Sequence, residues 1–490
     1  MRNSPHIQLQ FSPSPIFQIT LNVNSRDEVP QLLAGLQFIY SNKTLYFQIM
    51  HLMESAFPKS INKRKGRTAM AWWDILVLGL LRLNCKWDYD KLEDQANHHQ
   101  QIRKALLIED WEDRCYKRST IQNNLSLFPP SFFEEINTLI VKEARLQLSP
   151  KKQSEVRARC DSFVVESNIH YPTDINLLWD SIRTLVHHTA KWCKHLKISG
   201  WRQHKHLLKQ FKTQMLCIQR MKHSKSKDPL KKEKKEKRIH QSYQDYIALA
   251  ESLLTRVQST LVLCEKQFSS EGLVFQKDFS EKRMKQAKAL IDLIERRVIK
   301  GEKIPHGDKV FSIFEEYSEW IVKGKAGVSQ ELGLNVAIVS DQHGFLLHHK
   351  VMQHEQDSEV AVELIQQSKS KFPEMTQCSF DKGYWSSQNH TQLTQELEQV
   401  ILPKKGKRNK VEKERETSTE FKKARNQHSA IESSIAAIEN HGLDRCRDRG
   451  EKAFKRYIAL AVLARNIQML GRLLQEKEKK KQQRFKSKVS

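Results

Sequence analysis

The stretch that decides the fold is RARCDSFVVESNIHYP, residues 157–172. With Val156 before it, Ala158, Cys160, Phe163, Val164 and Val165 supply the small and apolar side chains of a core β-strand. Asp161 interrupts the run. Two readings stand open at this point. The carboxylate either hydrogen-bonds nearby backbone or marks an edge strand, or it is a metal ligand held on a rigid central element. The rest of the chain has to decide.

Downstream comes a long helical region, roughly 174–300, opened by TDINLLWDSIRTLVHHTAKW with Thr173 or Asp174 as its cap. Inside it, KHSKSKDPLKKEKKEKRIHQ (222–241) is too charged to bury. It reads as a solvated helix or loop, and as a surface for phosphates. Strands return after 305. VFSIFEEYSEWIVKG (310–324) is rich in β-branched and aromatic residues, and LGLNVAIVSDQHGFLLHHKVM (332–352) is a hairpin turning at DQHG. Asp357 caps the helix SEVAVELIQQSKS, the short strand TQCSF stops at Asp381, and Ser386 or Ser387 starts a further helix. VILP (400–403) is the last strand. A basic loop, KKGKRNKVEKER, leads to the helix HSAIESSIAAIENHG, which runs from 428 to Gly442. With the helical region set aside, three meander strands precede β–α units, which predicts an α/β fold with a mixed sheet.

Upstream, residues 1–60 form a proline-containing arm and 61–150 an all-helical domain for DNA binding or dimerisation. The most apolar window, AMAWWDILVLGLLRLNC (69–85), contains Asp74 and Arg82 and falls short of the ~20 apolar residues of a bilayer span, so it is a buried helix. No secretory signal is expected at the N-terminus. The α/β domain covers 151–475 with the helical insertion at about 174–305, and 476–490 form a frayed basic tail.

The chain has 490 residues with 83 Lys and Arg against 57 Asp and Glu, a net charge of +26 spread along its length. Such a field selects a polyanion partner, nucleic acid first. The eight cysteines are scattered without a CxxC pair, which argues against a zinc ribbon or a disulfide framework and fits a reducing cytosol. Cys193 and His195 lie close together but lack a second ligand pair.

Against that basic background, three carboxylates invite a common reading. Asp381 directly follows a short apolar strand, where α/β sheets place ligand-binding residues. Gly383 allows a tight turn toward a ligand, and Tyr384 and Trp385 offer stacking faces, with burial as their alternative fate. Glu432 borders the helical stripe Ile431, Ile435 and Ile438, while Glu439, seven residues on, shares its face and is its rival. Asp161, Asp381 and Glu432 together form an all-oxygen set of the kind hard divalent cations choose. Two ions ~4 Å apart can clamp a phosphodiester.

CDSFVVESNIHYPTD, EKIPHGDKVFSIFEEYSEWIVKGKAGVSQELGLNVAIVSDQHGF, FDKGYWS and HSAIESSIAAIENHGLDRCRDRGEKAFKRYIALAVLARNIQMLG resemble the DDE transposases of bacterial insertion sequences, in particular the ISNCY-type group. The similarity runs from about residue 65 to 475. It implies a ribonuclease H-like core in which Asp161, Asp381 and Glu432 are the three catalytic acids and hold two Mg²⁺ ions, with Mn²⁺ as a substitute. It further implies that the helical region is inserted between the first and second strands. The Tyr, Arg and Lys that some relatives place around the third acid do not carry over, since Arg425, His428 and Glu439 stand there.

The expected activity is binding of element terminal inverted repeats, hydrolysis of a strand at the element end, and attack of the freed 3′-hydroxyl on target DNA. The protein would act as a homodimer or larger on double-stranded DNA, in the cytoplasm at the nucleoid, without a membrane. Lys323, Lys325, Lys404, Lys405, Lys407 and Arg408 are the expected DNA contacts, and His170 a hydrogen-bonded loop histidine. A ribonuclease H-like nuclease without strand transfer, or an inactive DNA-binding relative, would share most of these features.

Overall fold

Strand β1 (Val156–Glu166) lies inside a six-stranded sheet with β2 (Glu319–Val322), β3 (Gln330–Ser340), β4 (Leu346–Val351), β5 (Met375–Phe380) and β6 (Gln399–Ile401). The computed structural model describes residues 14–489 apart from 23, 26, 59–68, 149–154, 224–228, 268–269 and 323–329. The strand order is β2-β3-β1-β5-β6, and β4 pairs with β3 beside β2. β1 runs antiparallel to β3 and parallel to β5, so it is a central strand and the edge reading of Asp161 is removed. An antiparallel meander joined to parallel β–α units gives the mixed sheet of a ribonuclease H-like fold.

The expected strand over 310–324 is strand only at Glu319–Val322. The Ser312 hydroxyl accepts the backbone N–H groups of Phe314 and Glu315 at 3.2 and 2.9 Å, and this local turn overrides the β-propensity of the residues around it. Asp88, Thr173 and Ser386 are among the caps, each accepting an N–H of the first helical turn. Asp357 is not a cap. Gln356 holds that position, and Asp357 is the first helical residue of Asp357–Lys371.

The chain divides into two compact units, residues 1–168 with 319–490 and residues 169–318. Within the expected arm of residues 1–60, the described helices Glu28–Ser41 and Lys43–Ala56 fall in the first of these units. The helix Glu28–Ser41 crosses the C-terminal helix Glu451–Val489 at a point where side chains are excluded. A Cβ on Gly471 would sit 1.8 Å from the Gln31 carbonyl oxygen, and one on Gly35 would sit 2.4 Å from that of Ile467. The 61–150 helices belong to the same unit, with Trp72–Asn84 buried along its whole length. The tail is helical rather than frayed, continuing through Val489.

The second unit is the insertion, with limits of 169 and 318 in place of about 174 and 305. Its helices, Asp174–Leu196, His204–His223, Pro229–Glu265 and Ser270–Ile294, enclose their own apolar core. Phe211 and Tyr246 stack there at 4.3 Å, and the buried Tyr246 hydroxyl donates to the Ile175 carbonyl. The Lys-rich run from Pro229 is a mostly exposed helix.

Candidate active site

Register places the first two acids. In the parallel pair β1/β5 the last matched residues are Cys160 and Phe380, both fully buried. The next residue on each strand is Asp161 and Asp381. Neighbouring strands lie about 5 Å apart, so two carboxylates 220 positions apart in sequence come side by side where β5 ends, while β1 continues to Glu166.

Their environments differ. Asp161 is half-buried and accepts one N–H, from Ser162 at 2.8 Å. Burial pushes its carboxyl up to about 6, and the charges of Asp381, Asp357 and Glu432 push the same way. For Asp381, partial burial acts against the charged form. The Lys382 backbone N–H and the Arg425 guanidinium outweigh it and hold the carboxyl below the usual carboxylate range. Arg425 lies on the helix Thr419–His428. It donates to the Phe380 carbonyl at 2.7 Å and to Asp381 Oδ1 at 3.2 Å, which ties that helix to the end of β5. His428, three residues on, is buried against Ser379 at 2.9 Å and pushed down to about 4 by burial and by Arg425, so it is neutral.

A fourth acid completes the group. Asp357 is half-buried. Its carboxyl is raised by burial and by the Asp381 charge, while a hydrogen bond with Ser162 opposes the rise. Its Oδ1 is buried without a hydrogen-bond partner among the described residues. Gly383 makes room for it, since a Cβ there would lie 2.8 Å from Asp357 Oδ2. The turn after Asp381 thus approaches a carboxylate of its own chain.

Glu432 sits exposed in the first turn of the helix Ala430–Ile438, and its charge reaches Asp161. The expected helix from 428 is broken at Ser429. Glu439 begins a π-helical turn, Glu439–Leu443, and lines a different cleft with Glu166, Glu331 and Asp444. Among the described residues, no three Asp, Glu, His or Cys side chains close into a metal cage. Asp161 feels the charges of the other three acids.

Of the expected DNA contacts, Lys323 and Lys325 lie outside the described residues. Lys404 is bound to Glu412 at 2.7 Å and Arg408 to Glu416 at 2.8 Å, so the helix Lys410–Thr417 neutralises both. Lys405 and Lys407 are exposed and form no ion pair among the described residues. Tyr384 is fully buried against Phe380, which withdraws it as a stacking face; Trp385 is half-buried with its ring near His390 and Arg415. His170 approaches Asp180 at 3.7 Å. The eight cysteines are all free thiols.

Residues 285–467 match the family model described as Transposase DDE domain. The span is less than half of the chain. It takes in Asp357, Asp381, Arg425 and Glu432, and it begins after Asp161. No curated protein and no solved structure matches the chain. The donor set suits a hard divalent cation, because it is all carboxylate, and among the described residues Asp357 Oδ1 and the crowded Asp161 both lack a positive partner.

Proposed function

We propose that the protein is a DNA transposase of the bacterial insertion-sequence kind, ISNCY-type, with Asp161, Asp381 and Glu432 as its catalytic acids. The observation that carries this reading is the Cys160–Phe380 register, which brings Asp161 beside Asp381 at the end of β5, within a chain of which residues 285–467 match a transposase DDE domain. The three acids would hold two Mg²⁺ ions, or Mn²⁺, with Asp357 beside them. Such ions, when bound, offset charge on a phosphodiester and make a nucleophilic oxygen available at neutral pH.

The chain's own residues do the positioning. The Ser162 N–H orients Asp161, Arg425 fixes Asp381 against the end of β5, and the neutral His428 anchors the Arg425 helix to Ser379. Lys405 and Lys407 are free to take backbone phosphates. The substrate is double-stranded DNA at the element ends, cut to a 3′-hydroxyl that then attacks target DNA. Joining two ends calls for a homodimer or larger assembly. The site of action is the cytoplasm, at the nucleoid.

The test uses the full chain, Mg²⁺ and labelled duplexes of the inverted repeats that flank its reading frame. A pre-cut end joined to plasmid DNA is the expected product. Nicking without joining would make it a ribonuclease H-like nuclease, and binding without cutting would make it a non-catalytic relative.

A further inference from the structure

The larger unit carries a second polar cleft, of about 560 Å³, whose lining includes none of Asp161, Asp357, Asp381 and Glu432. Its buried wall is Arg82, 4% exposed, from the last turn of Trp72–Asn84. Arg82 grips Asp448 through both terminal nitrogens at 2.6 and 3.3 Å and stacks over Tyr89 at 3.9 Å, while its buried Nε has no hydrogen-bond partner. Asp448 belongs to the loop DRCRDRG (444–450), which the catalytic reading leaves unused.

That loop also brings Arg447 and Arg449 to the cleft, and the helix Glu451–Val489 brings Arg456. Charge there is unbalanced. Asp448 offsets Arg82, and Asp90 offsets Arg118 at 2.7 Å. Arg456 donates only to the Ser126 carbonyl, and Arg447 and Arg449 are exposed with no carboxylate partner among the described residues. The remaining acid, Asp88, is engaged as a helix cap. The start of a 39-residue helix borders the same space and adds the positive end of its dipole. Guanidinium groups in excess of the carboxylates around them are an unfavourable arrangement that an anion relieves, and their planar donor forks match phosphate oxygens.

We propose that this cleft binds DNA backbone phosphates through Arg447, Arg449 and Arg456, as a contact zone distinct from the carboxylates and fixed to the fold by the Arg82–Asp448 pair. The proposal rests on the reading of DNA as partner. An exposed row of arginines beside a helix start suits an extended polyanion, and a basic chain supplies the long-range attraction.

The experiment compares full-length wild type with the double variant Arg447→Gln/Arg449→Gln in fluorescence anisotropy on a labelled duplex across a salt series. Both side chains are exposed and unpaired, so an unchanged melting temperature should confirm folding. The expected result is roughly tenfold weaker binding, with the log–log salt slope reduced by about 1–2. Equal affinity and slope, with wild type binding normally, would overturn the cleft and leave the transposase reading intact. Wild type failing to bind any duplex would sink both. A parallel melting series uses pyrophosphate. Stabilisation of wild type alone, with duplex affinity unchanged in the variant, would mark a small-anion site and overturn the DNA assignment.

Discussion

The buried Asp74 and the half-buried Asp161 are carboxylates pushed up to about 6, chiefly by burial, yet they sit in opposite company. Asp74, in the helical layer, accepts the Tyr116 hydroxyl at 2.7 Å and faces Arg114 at 3.4 Å. Asp161, in the sheet, accepts one backbone N–H and faces three more acids. The displaced pKa is shared, so it does not distinguish a functional acid from a structural one. The sign of the neighbours does. Asp74 has partners supplied by the fold, whereas Asp161 has neighbours that only an added cation reconciles.

The largest effect that can break this contrast is on catalysis. Asp161→Asn should lower DNA cleavage by about a thousandfold or more, the scale of losing a metal-holding group, while duplex binding stays within about twofold. Asp74→Asn should leave cleavage within about threefold. Cleavage by Asp161→Asn at the wild-type rate, measured on the same labelled end, would place the site elsewhere.

Stability should separate the two acids next. Asp74→Ala removes the acceptor of a buried tyrosine hydroxyl and is expected to destabilise by about 2–3 kcal/mol in urea unfolding. Asp161→Asn should do the reverse without metal, stabilising by about 1–2 kcal/mol at pH 7, because it deletes one of several repelling charges. Both acids have folded pKa values above the unfolded value of 3.8, so the native state holds extra protons between about pH 4 and 6. Their contribution is most favourable below the unfolded pKa and is lost as pH rises through about 6. Millimolar Mg²⁺ should raise the wild-type and Asp74→Asn melting temperatures at pH 7 and leave Asp161→Asn nearly unmoved. Equal responses in all three would erase the distinction.

The same contrast marks what the chain reveals before folding. Asp161 and Asp381 stand out locally, one interrupting an apolar strand and the other ending one. That they are neighbours depends on a parallel register between segments 220 positions apart, which no local pattern carries. Asp357 was hidden because an acid at a helix start is fully accounted for by the helix itself; only its meeting with Gly383 reveals a second role. The basic loop misled in the other direction. KKGKRNKVEKERE already contains Glu412 and Glu416, and a short helix beginning at Lys410 turns them back onto Lys404 and Arg408. The mixed sheet was legible because strand patterns are short-range, while the packing of residues 28–41 on the C-terminal helix, over 400 positions away, was not.

The smallest expected effect sharpens the comparison most. Among the described residues, Arg425 is paired with the acidic group, and its partner is Asp381 rather than Asp161. The pair is partly exposed, at 32% and 54%, so Arg425→Gln should cost only about 0.5 kcal/mol of stability. Its effect on Asp381 should be visible by carboxyl NMR titration. With the guanidinium gone, burial and the neighbouring acids act with less opposition, and the Asp381 carboxyl should titrate at higher pH than in wild type. If the Asp381 titration stayed where it is in wild type, the Lys382 N–H alone would set it, and Arg425 would serve only to clamp its helix to the Phe380 carbonyl.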